Sequence, residues 1–123
     1  MGMDFEVSRK VIGCAMTVHR ALGCGFLESV YENALAIELQ KNGISFQRQV
    51  KLVIYYREGI VGKYYADAII ENKLLLELKA LKALDNTCKS QLLNYLKASN
   101  IPVGLLINFR STSLQIKRMT IAK

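Results

Sequence analysis

The segment that decides the fold runs from Tyr64 to Lys79 and reads YYADAIIENKLLLELK. Two short apolar runs flank the polar break at 71–73, which is the pattern of two strands joined by a tight hairpin. Charged residues interrupt both runs, because Asp67 lies in the first and Glu77 and Lys79 lie in the second. A charge inside an apolar strand destabilises the fold unless another group pairs with it. The segment therefore predicts a hairpin that carries a polar site.

The length of the hairpin loop decides whether the two carboxylates meet. With a three-residue loop over 71–73, Ile70 pairs with Leu74, and Asp67 lies opposite Glu77 on the same face of the strands. A two-residue loop would shift the register by one residue and separate the carboxylates. An active site here therefore requires an odd loop or a bulge.

Two neighbouring carboxylates repel each other, so one takes up a proton unless a cation binds both. Mg²⁺ prefers oxygen ligands and is usually bound by one or two carboxylates, with water and substrate phosphate completing its shell. The ammonium of Lys79 would then hold or deprotonate a water, or stabilise charge on a phosphate. Asp67, nine intervening residues and Glu77-x-Lys79 thus form a compact pattern for phosphodiester hydrolysis. The alternative is a solvated hairpin face with cross-strand ion pairs.

Composition restricts the class of protein. The length of 123 residues fits one domain over 1–123. The net charge of +7 fits a polyanionic partner. Its three cysteines, Cys14, Cys24 and Cys88, form no disulfide or zinc pattern and fit a reducing compartment. No apolar run is long enough for a signal peptide or a membrane span. We therefore expect a cytoplasmic protein with no membrane association.

Hydrophobic periodicity predicts an α+β fold with a central mixed sheet and helices on both of its faces. One crossover, from the strand ending at Ala80 through a helix to the strand starting at Val103, should be parallel. The predicted elements are a helix over about 4–22, a helix from Glu28 ending near Gly43, strands over 46–56, 60–70 and 73–80, a helix over about 85–99, and strands over 103–109 and 113–121.

Several outlying residues are candidates for the same site. Gln91 and Tyr95 are four residues apart on one helix face, although they also fit a surface glutamine and a core ring. Glu28 at the start of the second helix would be a third acidic ligand, or would simply favour the helix dipole. His19 is a weaker candidate, since a histidine near a helix C-terminus is also explained by the dipole.

These motifs together closely resemble the GxxExxY family of the PD-(D/E)XK nuclease superfamily. The resemblance covers nearly the whole chain and rests on five segments: Gly25-Phe-Leu-Glu28-Ser-Val-Tyr31, Asp67, Glu77-Leu-Lys79, Gln91-Leu-Leu-Asn-Tyr95 and Gly104-Leu-Leu-Ile-Asn-Phe109. It implies the restriction-endonuclease-like αβββαβ core. Two departures are Ala66 in place of the proline that gives the superfamily its name, and Gly23-Cys24-Gly25 in place of a Gly-Pro-Gly turn.

The resemblance implies a role for each candidate residue. Asp67, Glu77 and Lys79 fall on metal and catalytic positions, Glu28 on a helical acid, and Gln91 and Tyr95 on a QxxxY element of the RecB-like branch. We therefore expect a Mg²⁺- or Mn²⁺-dependent nuclease acting on nucleic acid, with DNA as the expected substrate. The expected metal ligands are Glu28, Asp67 and Glu77, and the expected catalytic set adds Lys79, Gln91 and Tyr95.

Two other function classes remain open from the sequence. A binding module for nucleic acid or protein would keep the fold without useful turnover, and a small chain with little beyond the core favours a homo-oligomer or a helper protein. A non-nucleolytic enzyme on the same scaffold is the third class, because fold does not determine function.

Overall fold

Five strands form one mixed sheet, seen in a computed structural model that describes residues 2–122, with side chains from Phe5 onward. The three helices and five strands follow the predicted order along the chain. Their bounds are α1 Gly2–Leu22, α2 Glu28–Lys41, β1 Phe46–Tyr56, β2 Gly59–Ile70, β3 Leu74–Lys79, α3 Asn86–Ser99, β4 Val103–Asn108 and β5 Gln115–Thr120. The α+β fold class is confirmed.

The strands lie in the sheet in the order in which they occur in the chain. β1 and β2, β2 and β3, and β4 and β5 pair antiparallel, whereas β3 and β4 pair parallel from Leu75↔Gly104 to Lys79↔Asn108. A parallel pair cannot be joined by a hairpin, so the chain crosses over through α3. The predicted parallel crossover is therefore confirmed.

Two apolar clusters cover the two faces of the sheet. One joins α1 and α2 to the sheet through residues such as Leu76 and Leu78, and the other joins α3 to it through residues such as Leu75 and Leu106. β3 and β4 are covered on both faces, which explains why they read as nearly continuous apolar runs. No helix within residues 2–122 combines the length and hydropathy needed to cross a bilayer.

The hairpin between β2 and β3 has the odd loop that the site requires. Glu71 and Asn72 adopt positive φ angles of 51° and 57°, and the Lys73 N–H donates to the Ile70 carbonyl at 2.9 Å. Ile70 pairs with Leu74, so the register is the one predicted for a three-residue loop. The strand ends are therefore aligned as the carboxylate pair requires.

Candidate active site

The carboxylates of Asp67 and Glu77 meet where the backbone pairing of β2 and β3 ends. Beyond the pair Ala68↔Leu76, side chains replace the ladder. The Asp67 N–H donates to Glu77 Oε2 at 2.9 Å, and the Leu78 N–H donates to Asp67 Oδ2 at 2.8 Å. Each acid thus accepts a backbone bond from the opposite strand, which fixes both carboxylates at the point where the strands part.

Both strands of the β1–β2 pair change face at this point. Phe46 and Ala68 pack in the cluster beside α1 and α2, whereas Val50 and Ala66 pack in the cluster beside α3. In a regular strand, residues two apart share one face. Ala66 and Ala68 do not, so the alternation is interrupted at Asp67 and at its neighbour on β1. The register nevertheless places Asp67 opposite Glu77, as the three-residue loop predicts.

The cause of this inversion lies opposite Asp67 on β1. Gln49 has a φ of 49°, the left-handed region that a strand residue rarely adopts. Its side-chain amide reaches Asp67 Oδ1 at 3.4 Å and donates to Glu32 Oε1 at 3.1 Å. The irregular backbone thus aims a polar side chain at the acid of the neighbouring strand.

Burial places the two carboxylates in electrostatic conflict. Glu77 is only 3% exposed, so the alternative in which it belongs to a solvated hairpin face is wrong. Burial and then the charge of Asp67 raise the pKa of Glu77 to about 8, although the Asp67 amide and Lys79 act to lower it. Burial also raises the pKa of Asp67. A cation beside the pair would relieve this conflict.

A hydrogen-bonded chain of three side chains holds the ammonium of Lys79. Lys79 Nζ donates to Gln91 Oε1 at 2.7 Å, and Gln91 Nε2 donates to the Tyr95 hydroxyl at 3.1 Å. Because an ammonium has only donors, the carbonyl oxygen of Gln91 must face it and the amide must face Tyr95. Tyr95 is buried, and its ring lies 5.1 Å from that of Tyr64. Gln91 is therefore engaged with Lys79 and is not simply a surface residue.

The loop between α1 and α2 is tied by a tyrosine so that it presents Glu28. Gly25 has a φ of 118°, which side-chain-bearing residues rarely adopt. The Tyr31 hydroxyl donates to the Gly23 carbonyl at 2.6 Å and accepts from the Phe26 N–H at 3.3 Å. α2 begins at Glu28, directly after this loop. The glycine and tyrosine of the GxxExxY pattern thus shape the turn that positions its glutamate.

Glu28 is exposed, and its ionisation is linked to that of the carboxylate pair. Desolvation and the charge of Asp67 raise the pKa of Glu28, with desolvation the larger cause, whereas the charge of Lys79 lowers it. Glu28 in turn contributes to the raised pKa of Glu77. The three acids and the lysine are therefore close enough to affect one another's ionisation.

Among the side chains of residues 5–122, no three from His, Cys, Asp or Glu are arranged as a ready group of metal ligands. The donor chemistry nevertheless fits a hard divalent cation, since Mg²⁺ is usually held by one or two carboxylates and by water. The buried pair Asp67 and Glu77 supplies two such carboxylates, and Glu28 lies beside them.

Sequence reasoning missed Glu32, which links α2 to β1. Its carboxylate forms an ion pair with Arg48 at 3.0 Å and accepts from Gln49, which also contacts Asp67. Arg48 is therefore engaged within the protein. The available signal was the position of Glu32 one turn after Glu28, on the same helix face.

Sequence reasoning also missed Asn108, which is fully buried at the end of β4. Its side chain accepts from the Leu81 N–H at 2.9 Å and donates to the Leu81 carbonyl at 2.8 Å. The Phe109 N–H donates to the Lys79 carbonyl at 2.9 Å. These bonds hold the segment that follows Lys79. The sequence signal for Asn108 was a single polar residue in an apolar run.

His19 has a structural explanation away from the carboxylates. Its Nε2–H donates to the Ser111 carbonyl at 2.9 Å, and its ring lies 6.2 Å from that of Phe109. The histidine therefore ties the end of α1 to the loop between β4 and β5.

The chain matches a sequence model of the PD-(D/E)XK nuclease superfamily over residues 5–119. Its fold is similar to the crystal structure of SSO0001, with a TM-score of 0.63 and 20% sequence identity. This similarity covers 77% of the chain and 50% of that structure, so the chain spans half the length of the solved protein. No curated protein matches the chain. At this identity the structural similarity shows the fold alone.

Proposed function

We propose that this chain, which belongs to the PD-(D/E)XK nuclease superfamily, hydrolyses phosphodiester bonds in nucleic acid with the help of Mg²⁺ or Mn²⁺. The observation that carries this proposal is the buried pair of Asp67 and Glu77 beside a lysine that is bonded to Gln91, which Tyr95 holds in turn. A stable fold has no need of two buried carboxylates in conflict, whereas a metal site does. DNA is the proposed substrate.

The acids would hold the metal. Asp67 and Glu77 each already accept one backbone bond, which orients their carboxylates. Glu28 would close on the metal as a third ligand. The bound ion would polarise the phosphate and lower the pKa of an attacking water.

Lys79 would act on the attacking water or on the charge that develops on the phosphate. Its ammonium is held at 2.7 Å from Gln91, which is itself held by Tyr95. This geometry supports Gln91 and Tyr95 as residues that position Lys79. We therefore propose that they act through the lysine.

Cleavage of labelled single- and double-stranded DNA by the purified chain, with Mg²⁺, with Mn²⁺ and with EDTA, tests this function. We expect cleavage that requires the metal and that Lys79→Ala abolishes. Lys82→Ala, an exposed lysine just beyond β3, is the matched control and should cleave normally. Circular dichroism of each variant separates lost chemistry from lost folding. Cleavage that persists in Lys79→Ala would remove the lysine from the mechanism.

One observation favours a second candidate, a nucleic-acid-binding module without turnover. Among the side chains that the structure describes, the acids do not form a ready group of three metal ligands. This function predicts DNA binding that needs no metal and weakens with salt, with no cleavage under any divalent ion. Binding and cleavage assays on the same purified protein with the same DNA decide between the two functions.

A further inference from the structure

The two strands before the candidate site extend beyond the rest of the sheet. β2 is twelve residues long, but only Ala68–Ile70 pair with β3. The earlier part of β2 pairs with β1 alone, from Val50↔Ala66 to Tyr56↔Gly59. Residues 50–66 therefore form a two-stranded ribbon, which leads along the chain directly to Asp67.

The ribbon has one packed face and one open face. Leu52 and Tyr64 pair across the strands and pack against the cluster beside α3. The alternate residues lie on the opposite face, where Lys51 pairs with Tyr65 and the exposed Lys63 follows. Tyr65 is 50% exposed although it lies in the middle of a strand. The open face therefore presents an aromatic ring between two ammonium groups.

The tip of the ribbon is unusually apolar for a solvated turn. Tyr55, Tyr56, Ile60 and Val61 are each more than half exposed. The guanidinium of Arg57 lies 5.4 Å from the centre of the Tyr56 ring. Contiguous exposed apolar groups of this kind mark binding sites more often than plain surface. Tip and open face together offer three exposed tyrosines interspersed with basic side chains.

We propose that the ribbon binds single-stranded nucleic acid, with bases stacked on Tyr65 and Tyr55 and with phosphates held by Lys51 and Lys63. Aromatic rings interspersed with cations are the general means of binding an unpaired strand, because every base has a face to stack. The substrate of the site would then be a single strand or the unpaired segment of a duplex.

Two features favour a nucleic acid over a second copy of the chain. A twofold contact through this surface would bring Lys51 and Lys63 of both copies together, and like charges would oppose it. A polyanion is instead complementary to the ribbon and to the net charge of +7. Tyr65 also precedes Asp67 by two residues, about 7 Å along a strand, so a base stacked there would bring its phosphate toward the acids.

The part of this inference that leads the bound strand to the acids rests on the proposed function, but the test of binding does not require cleavage. Binding of a fluorescent oligothymidylate of about 20 nucleotides is measured by anisotropy in EDTA and compared with a blunt duplex of equal length. We expect tighter binding to the single strand. Tyr65→Ala should raise its Kd by about 5- to 100-fold, and Tyr65→Phe should retain binding because it keeps the ring.

Two matched controls use residues outside the ribbon. Phe5→Ala removes another exposed ring and is compared with Tyr65→Ala. Lys41→Ala removes another exposed cation and is compared with Lys63→Ala. The proposal is overturned if the duplex binds as tightly as the single strand or if Tyr65→Ala has no larger effect than Phe5→Ala. It is also overturned if sedimentation shows a dimer that Tyr65→Ala dissociates while DNA binding is unchanged. Binding without any metal-dependent cleavage would support the ribbon and count against the nuclease function alone.

Discussion

Glu77 combines two properties that seldom occur together in a stable core. It is nearly fully buried, and the neighbouring charge that shifts its pKa most belongs to another acid. Its carboxylate still accepts the Asp67 N–H, so the residue also serves to join two strands. A glutamine would keep this acceptor while removing the charge, which makes the substitution a clean probe of the electrostatic conflict.

We expect Glu77→Gln to stabilise the metal-free protein at high pH and not at low pH. The folded carboxyl has a pKa of about 8 against an ordinary value of 4.5, so between these values the folded state binds a proton that the unfolded state releases. The free energy of unfolding of the wild type therefore falls as pH rises through this window, and the variant lacks the part of this fall that Glu77 contributes. The difference near pH 8 should reach roughly 2–4 kcal/mol.

Calorimetry in EDTA across this range measures the effect. Glu58→Gln, an exposed glutamate in the turn between β1 and β2, is the control and should show no such difference. A difference between Glu77→Gln and the wild type that stays constant with pH would contradict the electrostatic account.

Gln91 offers a second test at the residue scale, because it touches the lysine and not the acids. If it positions Lys79, Gln91→Ala should lower the single-turnover cleavage rate by about 10- to 100-fold and leave DNA affinity nearly unchanged. Asn94→Ala, on an exposed part of the same helix, is the control. A loss of affinity that equals the loss of rate would instead indicate contact between Gln91 and the substrate.

Among the elements, α3 and β4 are the pair whose close packing can be tested most directly. A Cβ added to Gly104 would lie 2.8 Å from Leu92 Cδ1 and 3.3 Å from the Leu75 carbonyl oxygen. We expect Gly104→Ala to lower the free energy of unfolding by about 1–3 kcal/mol, because the leucine side chains of α3, or the helix with them, must shift outward. Urea denaturation measures this change.

Gly13→Ala is the control for the glycine substitution. Gly13 lies within α1, and a Cβ there would meet nothing within 4 Å. Alanine should therefore stabilise the protein by about 0.5–1 kcal/mol through helix propensity. A neutral Gly104→Ala would show that α3 is free to move relative to the sheet.

At the level of elements, the sequence predicted most of the fold, because alternation and glycine positions are local signals. β1 and the three-residue loop before Leu74 match their predictions. The inversion at Gln49 and Asp67 was missed, since a positive φ in a strand has no pattern in neighbouring residues. The bonds of Glu32 and Asn108 were missed for a related reason, as their partners lie far away in the chain.

For the whole molecule, a divalent ion should act as a stabilising ligand. We expect Mn²⁺ to raise the Tm of the wild type as its concentration exceeds Kd, since the ion binds only the folded state. Asp67→Asn should abolish this shift, and Glu6→Gln, an exposed acid on α1, should retain it. Thermal unfolding with Mn²⁺ and with EDTA measures both variants. An equal shift in Asp67→Asn would place the bound ion elsewhere.

The parallel pairing of β3 with β4 also sets the order in which the site assembles during folding. β2 and β3 join through a short loop and can meet within microseconds, so the two acids come together early. Lys79 lies opposite Asn108, and this distant pairing forms more slowly. On the ribosome, we expect a nascent chain to pair the two acids first and to gain the positioned lysine only after α3, with Gln91 and Tyr95, and β4 have left the exit tunnel.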